Sequence, residues 1–163
     1  LIREKYTNPN KLAINGGSHG GLVVGAAMTQ RPDLFKVVIS EMGRLDMASL
    51  DKYTSGIHHF DEYGNPNNKE EFESMLSYSP YHTIKEDVNY PTCLIITSEN
   101  DDRVPPFQSY KFVARLQNRT TQKNPIYLKV NKSAGHSGNI SSYEKWVKQK
   151  SEFYSFIWEY LNN

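Results

Sequence analysis

A serine flanked by glycines is the first feature of this sequence that could do chemistry. The segment Gly16-Gly17-Ser18-His19-Gly20-Gly21 has the pattern G-x-S-x-G and lies between a short apolar run and a segment typical of a helix. A serine on such a tight strand-to-helix turn holds its hydroxyl clear of the backbone, and the chain passes so close to itself that glycine is required on both sides. The spacing therefore predicts Ser18 as a nucleophile, with the N–H of His19 placed to stabilise an oxyanion. A phosphate-binding turn or a passive serine is the alternative that the pattern leaves open.

Two later segments can supply the base and the acid that a nucleophilic serine needs. One apolar run leads into Asp101 and Asp102, and a later one leads into His136. Open α/β sheets place their sites at the carboxyl ends of parallel strands, and the order serine, acid, histidine fits such a sheet. The pattern predicts His136 as the base and leaves both aspartates open as the acid. Four other histidines follow no late strand and are less suited to be the base: His19, His58, His59 and His82.

The elements that must position these residues alternate between strand and helix. Apolar runs predict strands at residues 12–15, 35–40, 92–98 and 126–130. Helical patterns cover residues 18–30, 68–77, 107–117 and 141–161, and residues 44–67 are irregular apart from one short helix near residues 47–52. This alternation predicts an α/β fold with a mostly parallel sheet of about four strands and helices on both faces. The apolar spacing in the last helix predicts one buried stripe: Tyr143, Trp146, Val147, Phe153, Phe156, Ile157 and Tyr160.

The composition excludes several classes of protein. The chain has 163 residues, a net charge of +1, 37% hydrophobic residues and 23% charged residues, which is typical of one globular domain. We expect no nucleic-acid partner, because no basic run is present, and no membrane partner, because the apolar stretches are too short to span a bilayer. The segment His58-His59-Phe60-Asp61 lacks further ligands at metal spacing, so neither a metal nor another cofactor is expected.

The single cysteine, Cys93, lies within an apolar run and is predicted to be a buried core thiol rather than a reactive one. One cysteine cannot form an internal disulfide. This usage favours a reducing compartment, so we expect a cytoplasmic location.

A series of further segments is distributed along the whole chain: Asn15-Gly-Gly-Ser-His-Gly-Gly, Gln30-Arg-Pro-Asp-Leu-Phe, Leu45-Asp-Met, Glu62-Tyr-Gly, Tyr78-Ser-Pro, Tyr90-Pro, Asp101-Asp-Arg-Val and Ala134-Gly-His. In these motifs and in their order, from about residue 2 to the end, the chain resembles the prolyl oligopeptidase family of serine peptidases. The resemblance implies an α/β-hydrolase catalytic domain. It also implies an enzyme that cleaves short peptides, often after proline, through an acyl-enzyme and without a cofactor.

The resemblance also implies residue roles. In the family motif the first aspartate before Arg-Val is the catalytic acid, which selects Asp101 over Asp102 to act with Ser18 and His136. Substrate-binding roles fall at six matching positions: His19, Arg44, His59, Tyr63, Arg103 and Val104. Three of these depart from the family pattern, which usually has Asn after the serine, a small apolar residue at the Arg44 position and a proline-stacking tryptophan at the His59 position. In the family, the arginine at position 103 holds a substrate carbonyl.

The resemblance covers only the C-terminal half of that catalytic domain. Residues 1–163 are therefore expected to be a partial domain, with the first strands of the sheet and a β-propeller outside this sequence. The expected partners are a short peptide substrate and the missing N-terminal part of the same protein, which in the family also supplies a tyrosine hydroxyl to the oxyanion hole. An esterase, or a fragment that is inactive when isolated, is the alternative.

Arg44 and His59 suggest a change in specificity. We hypothesise a pocket that is less selective for proline and tolerates an acidic side chain, because an unpaired buried cation favours an anion. The alternative is that Arg44 extends to solvent and that proline selectivity survives.

Overall fold

Four apolar runs form a parallel sheet in the computed structural model, which describes residues 1–138 and 142–162 except the side chain of Thr54. The strands are β1 (Ala13–Gly17), β2 (Val37–Glu41), β3 (Thr92–Ser98) and β4 (Ile126–Asn131). They are hydrogen-bonded in the order β1-β2-β3-β4, and each neighbouring pair is parallel. The carboxyl ends of the strands therefore lie at one edge of the sheet. The predicted α/β fold with a parallel sheet of four strands is confirmed.

Six α-helices lie within the described residues: α1 (His19–Gln30), α2 (Thr54–Ile57), α3 (Phe60–Tyr63), α4 (Lys69–Tyr78), α5 (Phe107–Gln117) and α6 (Tyr143–Asn162). The region 44–67, predicted to be irregular with one short helix, contains the 3₁₀ segment Met47–Lys52 followed by α2 and α3. Helices of four residues are too short to show an apolar period, so the pattern did not reveal them. The predicted start of the last helix at residue 141 lies outside the described residues.

Local sequence explains where α1 and α4 are bounded. Pro32 follows the end of α1 directly after Arg31, and proline cannot continue a helix because it lacks the backbone N–H. Asn68 precedes α4, and its side-chain oxygen accepts hydrogen bonds from the N–H groups of Glu70 at 3.0 Å and Glu71 at 3.3 Å. This cap satisfies N–H groups that the first helical turn leaves without partners.

The sheet is covered by helices on both faces. On one face, Met28 of α1 and Phe112 of α5 pack with Cys93 of β3, and all three are fully buried. On the other face, Ile39 of β2 packs with Phe156 and neighbouring apolar residues of α6. These layers bury the central strands and leave the edge with the carboxyl ends open for a site.

The buried stripe predicted for α6 is only partly correct. Phe153, Phe156, Ile157 and Tyr160 pack against the sheet, but Tyr143 is 77% exposed, Trp146 40% and Val147 39%. A cavity of about 270 Å³, lined by Trp146 and by Leu94 and Ile96 of β3, lies between the first half of α6 and the sheet. No helix in the described parts of the chain, α6 included, is long and apolar enough to cross a lipid bilayer.

Candidate active site

Ser18 lies at the turn between β1 and α1, in a backbone conformation that residues other than glycine rarely adopt (φ 54°, ψ −115°). Its N–H donates to the carbonyl of Glu41 at 2.8 Å, which ties the turn to the end of β2. A Cβ on Gly16 would stand 2.2 Å from the carbonyl oxygen of Gly20, so only glycine fits at position 16. A Cβ on Gly20 would meet nothing within 4 Å. The expectation that glycine is required on both sides therefore holds for Gly16 and is wrong for Gly20.

His136 and Asp101 reach Ser18 from the loops that follow β4 and β3. Ser18 Oγ lies 2.9 Å from His136 Nε2, and His136 Nδ1 lies 2.8 Å from Asp101 Oδ2. With Nδ1 protonated and donating to the carboxylate, Nε2 can accept the hydrogen of the serine hydroxyl. The structure thus brings together the side chains predicted as nucleophile, base and acid.

The two candidate aspartates have different surroundings. Asp101 is 4% exposed, and its Oδ1 accepts hydrogen bonds from the N–H groups of Arg103 at 3.0 Å and Val104 at 2.9 Å. These bonds hold the carboxylate in the orientation that faces His136. Asp102 is exposed to solvent, so the geometry favours Asp101 as the partner of the imidazole.

A cavity of about 360 Å³ opens in front of Ser18 and His136. Its other lining residues are polar or charged: His19, Arg44, Ser55, His59, Glu62, Tyr63 and Arg103. Five of the six predicted substrate-binding residues thus line one cavity. Val104 does not line it, because its side chain is buried and only its backbone serves the site, through the bond to Asp101.

Glu62 organises one wall of the cavity. Its carboxylate oxygens lie 3.5 Å from His19 Nδ1 and 3.1 Å from His59 Nδ1. His19 Nδ1 is also hydrogen-bonded to the hydroxyl of Tyr63, and the two rings are stacked with centroids 5.5 Å apart. Because Glu62 and Tyr63 belong to the short helix α3, this helix sets the position of both imidazoles.

Arg44 is a buried cation among neutral partners. The residue is 4% exposed, its Nη2 donates to Ser55 Oγ at 3.2 Å, and its guanidinium carbon lies 5.6 Å from the centre of the Tyr63 ring. Burial raises the pKa of the Tyr53 phenol to about 12, and the nearby positive charge of Arg44 acts in the opposite direction. The alternative in which Arg44 extends to solvent is therefore wrong.

Sequence reasoning missed two residues of the cavity, Ser55 and Glu62. Glu62 stands one helical turn after His59 and directly before Tyr63, so its spacing from two predicted residues was the available signal. Ser55 carries no comparable pattern. Its contact with Arg44 arises from the fold of α2 against the loop after β2.

His82 and His58 have surroundings other than Ser18. His82 Nδ1 lies 2.9 Å from Ser79 Oγ and 3.6 Å from Asp46, and His58 is exposed. Over residues 1–138 and 142–162, no three side chains of His, Cys, Asp or Glu are grouped in a way that could hold a metal ion.

A serine on a strained strand-to-helix turn, activated through a histidine and a buried aspartate at the carboxyl edge of a parallel sheet, is the arrangement of an α/β-hydrolase. Within that class, a match along the whole chain identifies the family. Residues 1–163 match the model of the prolyl oligopeptidase family, and the chain belongs to this family. The resemblance drawn from the sequence motifs is confirmed.

Named relatives agree with this assignment. The chain is 39% identical to a prolyl endopeptidase of Dictyostelium discoideum over 99% of its length, and 42% identical to a prolyl endopeptidase of Elizabethkingia miricola over 96%. In both cases the matched region is 22% of the relative, so the chain spans about a fifth of the length of these proteins.

Solved structures of prolyl-peptide-cleaving enzymes are also similar to this chain. A structure from a study of two prolyl endopeptidases has a TM-score of 0.95 at 41% identity, over 99% of this chain and 24% of that one. A post-proline cleaving enzyme from Rickettsia typhi has a TM-score of 0.92 at 34% identity, over 99% of this chain and 23% of that one. The chain therefore has the fold of the C-terminal part of the catalytic domain of prolyl oligopeptidases.

Proposed function

We propose that this chain is the C-terminal part of the catalytic domain of a serine peptidase that hydrolyses short peptides at prolyl bonds. The observation that carries the proposal is the continuous hydrogen-bonded path from Ser18 Oγ through His136 to the Asp101 carboxylate. Membership of the prolyl oligopeptidase family supports the substrate class. In this proposal the substrate enters the cavity that Tyr63 and Arg103 line beside the serine.

In the proposed mechanism each of these residues has one role. Ser18 Oγ attacks the carbonyl carbon of the scissile bond while His136 Nε2 takes its proton, and Asp101 stabilises the imidazolium that forms. The N–H of His19, at the start of α1, donates to the oxyanion. His136 then gives the proton to the leaving amine, which departs and leaves an acyl-enzyme. A water, deprotonated by His136, hydrolyses the acyl-serine and restores the hydroxyl.

The proposal also includes a partner of this chain, which is the remaining N-terminal part of the same protein. The relatives of the chain are about five times longer than the region matched, which supports a further N-terminal part. In this proposal that part contains what the family resemblance implies: the first strands of the sheet, a β-propeller and a second oxyanion donor. Loss of one such donor typically lowers the rate by about 10²–10³-fold, so the isolated 163-residue chain is expected to be weak or inactive. A cytoplasmic location is also proposed, on the basis of the single, buried cysteine.

The test uses the full-length protein and its Ser18→Ala variant. We expect a fluorophosphonate probe to label the unsubstituted protein at Ser18, and a fluorogenic Gly-Pro peptide to be hydrolysed. The alanine variant should not be labelled, and its rate should fall by about 10⁶-fold because attack and proton transfer are both lost. Hydrolysis of simple esters without hydrolysis of any peptide would instead establish an esterase. Peptide hydrolysis that survives in the alanine variant would contradict the assignment of the nucleophile.

A further inference from the structure

We propose that Arg44 makes the cavity beside Ser18 accept an acidic side chain, so that the enzyme cleaves after glutamate and aspartate as well as after proline. The inference rests on the proposed peptidase function and names a second substrate class for the same site. Arg44 and Ser18 line one cavity of about 360 Å³. In this inference the cavity receives the side chain of the residue whose carbonyl the serine attacks, so Arg44 contacts the residue on the acyl side of the scissile bond.

The first argument is the missing counter-charge of Arg44. Its guanidinium keeps its charge when buried, because arginine is not deprotonated in proteins. The partners of the group are the neutral hydroxyl of Ser55 and the ring of Tyr63, and its Nε is buried without a hydrogen-bond acceptor. A buried charge is unfavourable unless it is paired, so a carboxylate that enters the cavity gains an unusually strong partner.

The second argument is that the acids near this site already have other partners. Asp101 is bound to His136, and Asp46 to Lys111 at 2.5 Å. Glu62 lies against two imidazoles. No ion pair joins Arg44 to any carboxylate within the described part of the chain, so the guanidinium can pair with a carboxylate of the substrate.

The third argument is the balance of charge around the cavity. Its lining contains two guanidinium groups, Arg44 and Arg103, against one carboxylate, Glu62, which is half exposed to solvent. His19 and His59 lie beside that carboxylate and add positive charge when they are protonated. A cavity with this balance complements an anionic side chain and disfavours a cationic one.

The experiment compares matched substrates on the full-length protein. Fluorogenic peptides of the form Gly-Xaa, with Glu, Gln, Lys or Pro at Xaa, are compared by kcat/KM. Gln has the shape of Glu without its charge, so the Glu-to-Gln ratio isolates the contribution of the carboxylate. We expect a ratio of at least about ten, which corresponds to one well-placed charged contact.

Two substitutions of Arg44 assign the effect to this residue. Arg44→Met keeps the length of the side chain and removes the charge, and it should bring the Glu-to-Gln ratio close to one. Arg44→Lys should keep a ratio above one. The control is Arg31→Met, since Arg31 is an exposed residue paired with Asp33, and this variant should keep the original ratio. Fluorophosphonate labelling of Ser18 verifies that each variant has an assembled site.

The outcomes separate this inference from the function on which it rests. Cleavage of the proline peptide with equal rates for Glu and Gln overturns the role of Arg44 and leaves the prolyl peptidase intact. A high ratio that persists in Arg44→Met, or a preference for the lysine peptide, also overturns it, and the latter would point to Glu62 instead. If no peptide is cleaved and Ser18 is not labelled, both the inference and the proposed function fail.

Discussion

Asp101 and Asp102 are adjacent in the chain, yet only one of them is placed to act on His136. The backbone N–H groups of Arg103 and Val104 hold one oxygen of Asp101, and both carboxylate oxygens lie within hydrogen-bonding distance of the imidazole. The positions of the strands left this choice open, because two neighbouring aspartates after a strand have the same sequence signal, and only the family resemblance selected Asp101. The turn after β3 decides it by directing one side chain inward.

Replacement of the two aspartates tests this difference. Asp101→Asn is expected to lower kcat by about 10⁴-fold, because an amide no longer holds the imidazole in the tautomer that accepts the serine proton. The matched variant Asp102→Asn should keep a kcat close to that of the unsubstituted protein, because this side chain is exposed. Steady-state hydrolysis of a Gly-Pro peptide measures both. The reverse order of effects would move the acid to Asp102.

The thiol of Cys93 is predicted to be inert in the native protein. It is fully buried between Met28 and the carbonyl of Pro91, and burial raises the pKa of the thiol. Because the thiolate is the reactive form, iodoacetamide at pH 8 should leave the Cys93 peptide unmodified until the protein is unfolded in denaturant. Mass spectrometry of the digested protein measures the modification. Rapid alkylation of Cys93 under native conditions would contradict the burial.

At the scale of elements, the turn between β1 and α1 depends on one glycine more than on the other. The backbone of Gly20 lies directly against the position where a Cβ of residue 16 would stand, whereas the space around residue 20 is open. The motif G-x-S-x-G treats the two glycines alike, so sequence reasoning could not rank them.

Alanine at each position tests the ranking. Gly16→Ala should destabilise the protein by about 1–3 kcal/mol, because the turn must shift to remove the overlap, and Ser18 should lose its reaction with a fluorophosphonate. Gly20→Ala lies at a helical position with free space, where alanine is favoured over glycine by about 0.5–1 kcal/mol. Chemical denaturation and probe labelling of the two variants measure these effects. Equal losses in both variants would refute the steric argument.

The strands and the triad were predictable because each is encoded within a short stretch of sequence. β3 and α5, for example, have the predicted bounds, and Ser18, Asp101 and His136 each follow a strand. The cavity wall was less predictable, since Ser55 and Glu62 lie on helices of four residues whose positions depend on packing rather than on a local period. The buried stripe predicted for the first half of α6 was wrong for a related reason. Apolar spacing in a helix does not show whether a sheet lies close enough to pack against it.

At the scale of the whole molecule, a polar cluster around the buried Asp46 joins the region after β2 to α5. Asp46 is held by Lys111 of α5 at 2.5 Å and lies 3.6 Å from His82. Burial lowers the pKa of His82, the positive charges of Lys111 and Arg115 add to this, and Asp46 opposes it. The folded protein therefore favours the neutral imidazole of His82.

This preference predicts a dependence of stability on pH. An unfolded chain protonates its histidines near pH 6.5, whereas folded His82 resists protonation to a lower pH. The contribution of the neutral His82 imidazole to the free energy of unfolding is therefore complete above about pH 6.5. It is lost as the pH falls towards the folded pKa of His82. Urea unfolding at pH 7.5 and 5.5 should show a smaller difference between the two pH values for His82→Asn than for the unsubstituted protein. An unchanged or larger difference would contradict the lowered pKa.

The order of the strands in the sheet follows the order of the strands in the chain, and this has a consequence for synthesis. Ser18 follows the first strand of this sheet and His136 follows the fourth, 118 positions later in the chain. On the ribosome the N-terminal residues emerge first, so a growing chain carries the serine long before it carries the imidazole. A nascent polypeptide that lacks the loop after β4 does not yet contain His136, the proposed base. In the proposed peptidase, translation therefore makes the nucleophile before the base, and the hydroxyl of Ser18 stays unactivated until the loop after β4 has been made.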